Sequence, residues 1–207
     1  MKSIIIAGAG LHGQALSKYL RSDSRYQVVG FTETDPELIG TQICGRPVLG
    51  MDQELDEISE DNDFDSVAVG IGDQKTASIK PRLDLFGKLK EQGHDVLTYI
   101  HPDASVHESA DVGEGTVIYP NSMVGPDASL GTVSMLYGGV VVEHHVSIES
   151  NAYFGPGAVL SGEVVFGQSV FVGSNATIFP RVTLEDHCVV GAGAVVKDSQ
   201  PADTTIV

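Results

Sequence analysis

Residues 146–172 read VSIESNAYFGPGAVLSGEVVFGQSVFV, and every sixth residue of this stretch is large and apolar. From Ile148 to Val172 the residues at this spacing are Ile, Phe, Leu, Phe and Val, and a small or β-branched residue stands two places before each. The same spacing runs without a break from Ile100 to Val196. Because six residues is not the period of a helix, the spacing predicts short strands, each with one large and one small inward side chain, joined by turns.

Three such strands would close one triangular coil of about eighteen residues, and about six coils would stack at the usual ~4.8 Å strand separation. Turns rich in Gly, Asn and Asp accept the positive φ that sharp corners require. The large inward residues would form one continuous column, which suits a chain with 24 Gly and no Trp. The repeat therefore predicts an all-β domain at residues 100–207, a left-handed parallel β-helix of hexapeptide repeats.

The beginning of the chain follows a different pattern. In SIIIAGAGLHG, Gly8, Gly10 and Gly13 stand between a β-branched run and a helical pattern, and Glu33 follows a second apolar run. This is the spacing of a mononucleotide-binding fingerprint, in which the glycines let a phosphate approach a helix N-terminus and the acid takes a ribose hydroxyl.

Strands continue to alternate with helices after this loop. The run DSVAVGIGD at 65–73 is predicted as a third strand, an amphipathic helix follows it, and DVLTYI at 95–100 is predicted as a fourth strand. The pattern indicates a small parallel sheet covered by helices. We therefore predict a half-Rossmann-like α/β domain at 1–99 that binds a single nucleotide.

Composition narrows the class of protein. The 207 residues carry a formal net charge of −16, which argues against nucleic acid or an anionic membrane surface as a partner. Cys44 and Cys188 stand in different parts of the chain and fit reduced thiols better than a disulfide. No apolar run is long enough to span a bilayer. We expect a cytoplasmic protein.

Two adjacent histidines raise the question of a site. In the six-residue frame Val142 and Val146 point inward, so Glu143, His144 and His145 occupy a corner of the prism. A core role for the imidazoles is largely excluded by this placement. Most corners carry small turn-forming residues, and two imidazoles bring no advantage to turn geometry. The residues alone leave open whether this corner is simply solvated or forms a site.

The whole chain resembles a known family through several motifs, namely GAGLHG, IHPDASV, VEHHVSI, GPGAVLSGEVVFG, VGSNATIFPRV and VGAGAVVKD. It is similar to the bacterial sugar acetyltransferases of the sialic-acid O-acetyltransferase type, whose relatives N-acetylate UDP-4-amino sugars. The resemblance implies an acetyl-CoA-dependent acyltransferase that acts on a nucleotide-activated amino sugar without a metal. It also implies a homotrimer with active sites between subunits, and a place in surface polysaccharide biosynthesis.

The family's functional positions can be carried onto this chain. His144 falls on the catalytic base, with His145 and Glu143 beside it, and the backbone N–H of Gly162 falls near the thioester oxygen. The positions implied for contact with acetyl-CoA are Tyr153, Gly162, Gly173, Ser174, Gly191, Ala192 and Lys197. The positions implied for the sugar nucleotide are Gly10, Leu11, His12, Glu33, Thr34 and Gly72.

The chain departs from the family pattern in ways that bear on the site. The family places a carboxylate directly after the base, where this chain has His145. Either Glu143 or a residue of a neighbouring subunit orients the ring instead, or His144 is a weaker base. Tyr153 stands where the family has a second histidine. Residues 101–207 hold only Arg181 and Lys197 as fixed cations, few for a ligand that carries several phosphate charges.

Three other functions are alternatives to an amino-sugar acetyltransferase. An O-acetyltransferase of sialic acid or another sugar hydroxyl would keep the same fold and the same base. An inactive homologue that only binds a sugar nucleotide would explain the departures. A zinc hydratase resembling the gamma-type carbonic anhydrases is disfavoured, because His144 and His145 are adjacent, no third histidine has the required spacing, and the N-terminal domain would have no role.

Overall fold

The computed structural model describes residues 1–72 and 80–207. The chain divides into two compact units, one formed mainly by residues 1–72 and 84–97, the other by Thr98–Val207 together with the segment that ends at Leu83. Each unit is described by itself. In the described ranges, none of the helices combines the length and the apolar character needed to cross a bilayer.

The N-terminal unit is an α/β sandwich around a five-stranded sheet. Its elements are β1 (Lys2–Ala7), α1 (Leu11–Ser22), β2 (Tyr26–Thr32), β3 (Gln42–Ile43), β4 (Arg46–Gly50), α2 (Leu55–Asp61), β5 (Ser66–Val69) and α3 (Lys80–Glu91), with 3₁₀ turns at Pro36–Leu38 and Asp52–Glu54. The strand order is β3-β4-β2-β1-β5, and all pairs are parallel except β3 with β4. The first β-branched run forms the centre of this sheet, where Ile4, Ile5 and Ile6 are fully buried.

The predicted fourth strand is wrong. Within residues 95–100, Val96 forms only an isolated bridge with Val67, and Tyr99–Ile100 pairs instead with a strand of the β-helix. The run is too short to serve both sheets, and the N–H of Tyr99 already donates to the carbonyl of Thr116 in the β-helix unit.

The β3–β4 hairpin was not predicted from the sequence. Cys44 and Gly45 both adopt positive φ, at 52° and 70°, and form the two-residue turn. Such turns usually carry Asn-Gly or Asp-Gly, so the dipeptide Cys44-Gly45 does not indicate a hairpin in the sequence. The hairpin adds β4 beside β2 and so enlarges the sheet beyond the predicted strands.

The second unit is the predicted β-helix. Its two-residue strands are β6 (Tyr99–Ile100), β7 (Ser105–Val106), β8 (Asp111–Val112), β9 (Val117–Ile118), β10 (Met123–Val124), β11 (Ser129–Leu130), β12 (Met135–Leu136), β13 (Val141–Val142), β14 (Ser147–Ile148), β15 (Tyr153–Phe154), β16 (Val159–Leu160), β17 (Val165–Phe166), β18 (Phe171–Val172), β19 (Thr177–Ile178), β20 (Thr183–Leu184), β21 (Val189–Val190), β22 (Val195–Val196) and β23 (Thr205–Ile206). From β6 to β19, each strand pairs in parallel with the strand three places further on, as Met123 does with Val141. The pairing gives stacked sheets of six, five and seven strands, which confirms the left-handed β-helix.

The inward column of large residues forms the core of this unit. Phe154 and Phe166 are fully buried and meet edge to face, with ring centroids 5.2 Å apart. Most corners place their second residue at positive φ, including Asn121, Asn151 and Asn175. The six-residue register holds to Val196, after which β23 pairs with β21 across a shorter final coil.

Candidate functional site

One edge of the β-helix carries both adjacent histidines, and we call it the histidine edge. It consists of the turn pairs Pro126–Asp127, His144–His145, Gly162–Glu163 and Pro180–Arg181, stacked in successive coils. His144 and His145 are exposed, whereas the flanking inward residues Val142 and Val146 are buried. The imidazoles therefore stand on a corner, as the six-residue frame predicted.

The ring of His144 lies across the backbone of the next coil. Its Nδ1 is 3.1 Å from Nδ1 of His145. A Cβ placed on Gly162 would come within 2.6 Å of Cε1 and 2.7 Å of Nε2 of His144, so only glycine leaves room for this ring position. Among the described residues, Nε2 of His144 has no hydrogen-bond partner. The ring is anchored at one nitrogen and open at the other.

Gly162 also contributes a backbone N–H at the same place. The N–H of Glu163 donates to the carbonyl of His144, and the N–H of Arg181 donates to the carbonyl of Gly162, both at 3.1 Å. Within the described ranges, the N–H of Gly162 itself has no acceptor in the chain. Proline fills the equivalent position one coil before His144 and one coil after Gly162, as expected where the N–H takes no part in the ladder. Among the described residues, an imidazole nitrogen without a partner and a free amide donor thus stand in adjacent coils.

His145 connects the ring of His144 to a carboxylate. Its Nε2 is 3.6 Å from Oδ2 of Asp127, which stands at the same corner one coil earlier. Glu143, by contrast, makes no hydrogen bond or ion pair with either ring in the part of the chain that the structure describes. Asp127 was missed from the sequence, although the coil length of eighteen residues places it directly beside His145.

A methyl group on Gly162 should disturb the ring of His144 more than the fold. For Gly162→Ala we expect kcat of the acyl transfer that the sequence predicts to fall by about 10- to 100-fold, since small displacements of a group in the role expected of His144 cost that much. Gly138→Ala is the matched control, because its Cβ would meet its nearest atom, the carbonyl oxygen of Pro120, at an ordinary 3.4 Å. Equal kcat for the two variants would contradict this role of the Gly162 site.

Four of the residues predicted to contact CoA lie on a second edge, which we call the glycine edge. Gly173 and Ser174 stand one coil before Gly191 and Ala192. A Cβ on Gly173 would lie 2.5 Å from the backbone nitrogen of Ala192, so the coils approach closely here. The glycine edge and the histidine edge border the same six-stranded sheet from opposite sides. Within one chain, these residues are therefore not brought to His144.

The two cations of the β-helix differ in their surroundings. Arg181 donates from Nε to Oε1 of Glu163 at 3.3 Å, so its charge is partly matched. Nζ of Lys197 lies 5.5 Å from the ring centroid of Phe179, on the histidine edge, and is exposed. Lys197 is accordingly the better placed of the two to meet an anionic ligand.

Tyr153 lies on another face and is only 3% exposed. Its ring stacks on Phe171 at 4.7 Å and tilts against Tyr137 at 5.0 Å. Burial raises the pKa of Tyr137, and the neighbouring Tyr153 adds to the shift. The ring of Tyr153 is thus packed in an aromatic layer of this chain, and its side chain is hydrogen-bonded to Tyr137.

That aromatic layer includes a buried arginine. Nε of Arg82 donates to Oδ1 of Asn151 at 2.9 Å, and its terminal nitrogen donates to the carbonyls of Asn151 and Ala152. Burial lowers the pKa of Arg82 to about 10. These bonds satisfy the guanidinium where α3 begins, and they give Arg82 a structural role.

The N-terminal glycine loop is held by close backbone contacts. Gly8 has φ of +103°, which favours glycine. A Cβ on Gly13 would lie 2.0 Å from the carbonyl oxygen of Gly8, and one on Gly70 would lie 2.3 Å from the same atom. Gly10, in contrast, has nothing within 4 Å, and it begins α1 without a side-chain cap. The first turn of α1 is therefore open to an anion.

The predicted sugar-nucleotide residues of this unit gather around the same loop. Oε2 of Glu33 accepts from the N–H of Ala9 at 2.9 Å, and Oε1 accepts from the N–H of Thr34 at 2.8 Å. Gly72 lies against the ring of His12, so closely that a Cβ would come 2.3 Å from Cγ. Leu11 is 86% exposed at the start of α1. Three separate segments thus converge on one loop. Asp73, the last residue of the predicted third strand, lies outside the described residues.

Asp52 is an acid at this place that the sequence did not single out. Its Oδ1 accepts from Oγ1 of Thr32 at 2.5 Å. Burial raises the pKa of Asp52; the hydrogen bond from Thr32 opposes the shift, and the charge of Glu33 adds to it. The carboxyl therefore adds a partly buried acidic group beside Glu33.

Replacing Gly13 by alanine should affect stability, whereas replacing Gly10 by alanine should affect substrate binding. Gly13→Ala is expected to lower the free energy of unfolding by about 1–3 kcal/mol, because the backbone cannot yield to the new Cβ. Gly10→Ala should leave stability unchanged and raise KM for the nucleotide sugar that the sequence predicts about 10-fold, because the methyl group would stand where a phosphate is expected to approach. Denaturant titration and KM measurements on both variants check this. Loss of stability in Gly10→Ala, or none in Gly13→Ala, would contradict the loop geometry.

The described residues contain no group of three or more His, Cys, Asp or Glu side chains placed to hold a metal ion.

Comparison with protein families gives two matches. Residues 3–78 match the PglD N-terminal domain, and residues 163–197 match the hexapeptide repeat of succinyl-transferase. No curated protein sequence matches the chain.

Several solved structures share the whole architecture. A histidine mutant of perosamine N-acetyltransferase from Caulobacter crescentus, in complex with CoA and GDP-perosamine, matches with a TM-score of 0.90 at 28% identity, over 99% of this chain and 93% of that chain. WeeI from Acinetobacter baumannii matches with a TM-score of 0.84 at 26% identity, over 99% and 96%. The acetyltransferase domain of PglB from Neisseria gonorrhoeae, in complex with acetyl coenzyme A, shares the fold with a TM-score of 0.85 at 24% identity, over 99% and 95%.

Proposed function

We propose that the chain N-acetylates a nucleotide-activated amino sugar, with acetyl-CoA as its co-substrate and His144 as the general base. The matches to the PglD N-terminal domain and to the hexapeptide repeat, and the similar structures of sugar acetyltransferases, support an acyltransferase of this kind. One observation carries the proposal. The His144 ring stands on an exposed edge with Nδ1 held by His145 and Nε2 free, beside the free N–H of Gly162.

The proposed mechanism uses these two groups directly. Nε2 of His144 takes a proton from the amino group of the sugar as that group attacks the acyl carbonyl. The N–H of Gly162 donates a hydrogen bond to the carbonyl oxygen, where negative charge develops during the attack. The base acts on the acceptor itself, so the enzyme needs no covalent acyl intermediate. His144 can then return the proton to the departing thiolate.

The residues of the chain fit acetyl-CoA at several points. The exposed Lys197 can meet its phosphates, and Gly173 and Gly191, which carry no side chain, can leave room for its pantetheine arm. The rest of the β-helix is rich in carboxylates, so Lys197 would bear much of the electrostatic attraction. When bound, acetyl-CoA supplies the activated acyl group.

We place the sugar nucleotide in the N-terminal unit. The uncapped first turn of α1, beginning at Gly10, suits a phosphate, while Glu33 and Thr34 lie beside the loop and offer acceptors to a ribose. The perosamine N-acetyltransferase structure holds GDP-perosamine, which supports a nucleotide-linked amino sugar as the acceptor here.

We further propose that the active enzyme is a homotrimer with each site between two prisms. The histidine edge and the glycine edge border opposite sides of one sheet, so they can meet only across a boundary between chains. Phe179 and Val195 are exposed by 40% and 54% in the single chain, and association would cover these apolar side chains.

The test is a substrate panel with purified protein. Acetyl-CoA is mixed with GDP-perosamine, with UDP- and dTDP-4-amino sugars, and with free sialic acid, and release of the CoA thiol is followed. We expect turnover with at least one nucleotide-linked amino sugar and none with sialic acid. Turnover with sialic acid alone would establish O-acetylation instead, and nucleotide-sugar binding without any CoA release would indicate an inactive homologue.

A further inference from the structure

We propose that Asp127, acting through His145, is a positioning residue that sets the protonation of the His144 ring. The proposal rests on the role of His144 described above, and it concerns a contact between two coils of the β-helix. The contacts that carry it are 3.1 Å between Nδ1 of His144 and Nδ1 of His145, and 3.6 Å between Nε2 of His145 and Oδ2 of Asp127.

The carboxylate of Asp127 determines which nitrogen of each imidazole carries the hydrogen. An ionised Asp127 has no hydrogen to donate, so it favours the tautomer of His145 that carries its hydrogen on Nε2. The Nδ1 of a neutral His145 is then bare and can only accept. His144 must therefore carry its hydrogen on Nδ1, which leaves Nε2 as the lone pair of the base. The arrangement of Asp127, His145 and His144 thus selects the tautomer that catalysis needs.

The same arrangement stabilises the charge that catalysis creates. When Nε2 of His144 takes the proton of the acceptor, the ring becomes a cation whose Nδ1–H already donates to His145. The charge of Asp127 lies behind His145 and attracts this cation. A separation of 3.6 Å is longer than a hydrogen bond, and both side chains are more than half exposed, so the effect is expected to be modest.

In this chain Asp127 therefore orients the base, as a carboxylate directly following the base would do. Asp127 stands in the neighbouring coil and acts on His144 through the ring of His145. Glu143, although adjacent in sequence, contacts neither ring among the described residues.

The backbone allows clean variants at both positions. Asp127 has φ of 56°, and Asn121, Asn151 and Asn175 adopt similar values at other corners, so Asp127→Asn removes the charge without straining the turn. Glu163 occupies the position equivalent to His145 one coil later with φ of 63°, so His145→Glu is also compatible with its turn. The His101–Asp103 pair, at 3.7 Å, provides the control variant Asp103→Asn.

We expect Asp127→Asn to lower kcat roughly 10-fold with KM for both substrates unchanged, because a group that orients the base affects the reaction and not binding. Asp103→Asn should match the wild-type enzyme. His145→Glu places a carboxylate directly beside the base and removes the link to Asp127, so adding Asp127→Asn to this variant should cause no further loss of kcat. Melting curves verify that all variants fold.

A spectroscopic measurement tests the tautomer without activity. In protein with ¹⁵N-labelled histidine, the nitrogen shifts of His144, assigned by its absence in His144→Ala, should report hydrogen on Nδ1 in the wild-type chain and a mixture in Asp127→Asn. If Asp127→Asn behaves as Asp103→Asn in kcat and leaves the His144 shifts unchanged, the positioning role is overturned while the function of His144 stands. If His144→Ala is itself fully active, the proposed function fails as well.

Discussion

His144→Ala should abolish almost all acyl transfer, lowering kcat by about 10²- to 10⁴-fold, the range expected when a general base is removed. The exposed ring makes no contact that the fold requires, and its neighbours Val142 and Val146 remain buried without it. The melting temperature should therefore stay within a degree or two of the wild-type value. The measurement is steady-state CoA release with the sugar that the substrate panel identifies.

A matched histidine variant separates catalysis from a general loss of imidazole. His107 is also exposed and stands two coils before Glu143, at the equivalent position. Its Nδ1 lies 2.9 Å from Oγ of Ser109. His107→Ala should keep wild-type kcat. Unchanged turnover in His144→Ala would remove His144 from the mechanism, whatever the behaviour of the control.

Phe166→Ala should destabilise the β-helix by about 3–5 kcal/mol, the cost of removing a large ring from a packed core. Phe166 is fully buried and contacts Phe154 edge to face, while its strand pairs with Ser147–Ile148 below and Thr183–Leu184 above. Because each coil rests only on its neighbours, a cavity here weakens contacts on both sides. Denaturant titration followed by circular dichroism measures the loss.

The control for this prediction stands next to Phe166 in the chain. Val165 points outward from the same strand and is 42% exposed. Val165→Ala should change the free energy of unfolding by less than about 1 kcal/mol. A larger loss for Val165→Ala than for Phe166→Ala would mean that the inward and outward faces have been assigned the wrong way round.

The β-helix could be predicted from the sequence almost completely. Its strand pairs recur every eighteen residues, so a single spacing determines strands, inward faces and register together. The α/β class of the N-terminal unit was also predictable, from the alternation of β-branched runs and helices. The hairpin after Cys44 and the end of the sheet at Val96 were not, because very short strands carry too little pattern to be recognised.

For the candidate site, the sequence suggests residues but not the contacts between them. The corner position of His144 and His145 follows from the six-residue frame, and the role of Gly162 came from family resemblance. What the frame could not show is that the two rings share a contact through Nδ1, or that Gly162 leaves space for one of them. Side-chain direction at a turn depends on rotamers, which spacing does not determine.

Asp127 could have been identified from the sequence as the neighbour of His145. Glu143 and a residue of a neighbouring subunit are the groups expected from the sequence to orient His144. In a coiled architecture the nearest residues are those one full coil away, and this rule leads from His145 to Asp127. The same rule pairs Glu163 with Arg181 on that edge.

The most direct measurement is a crystal structure of the assembled protein with acetyl-CoA or CoA bound. We predict three chains around one axis, with the sulfur of CoA in a groove between two prisms, beside Nε2 of one chain's His144 and the N–H of Gly162. A sulfur that lies far from both histidines, with the His144 ring facing open solvent and no neighbouring chain near it, would contradict this account.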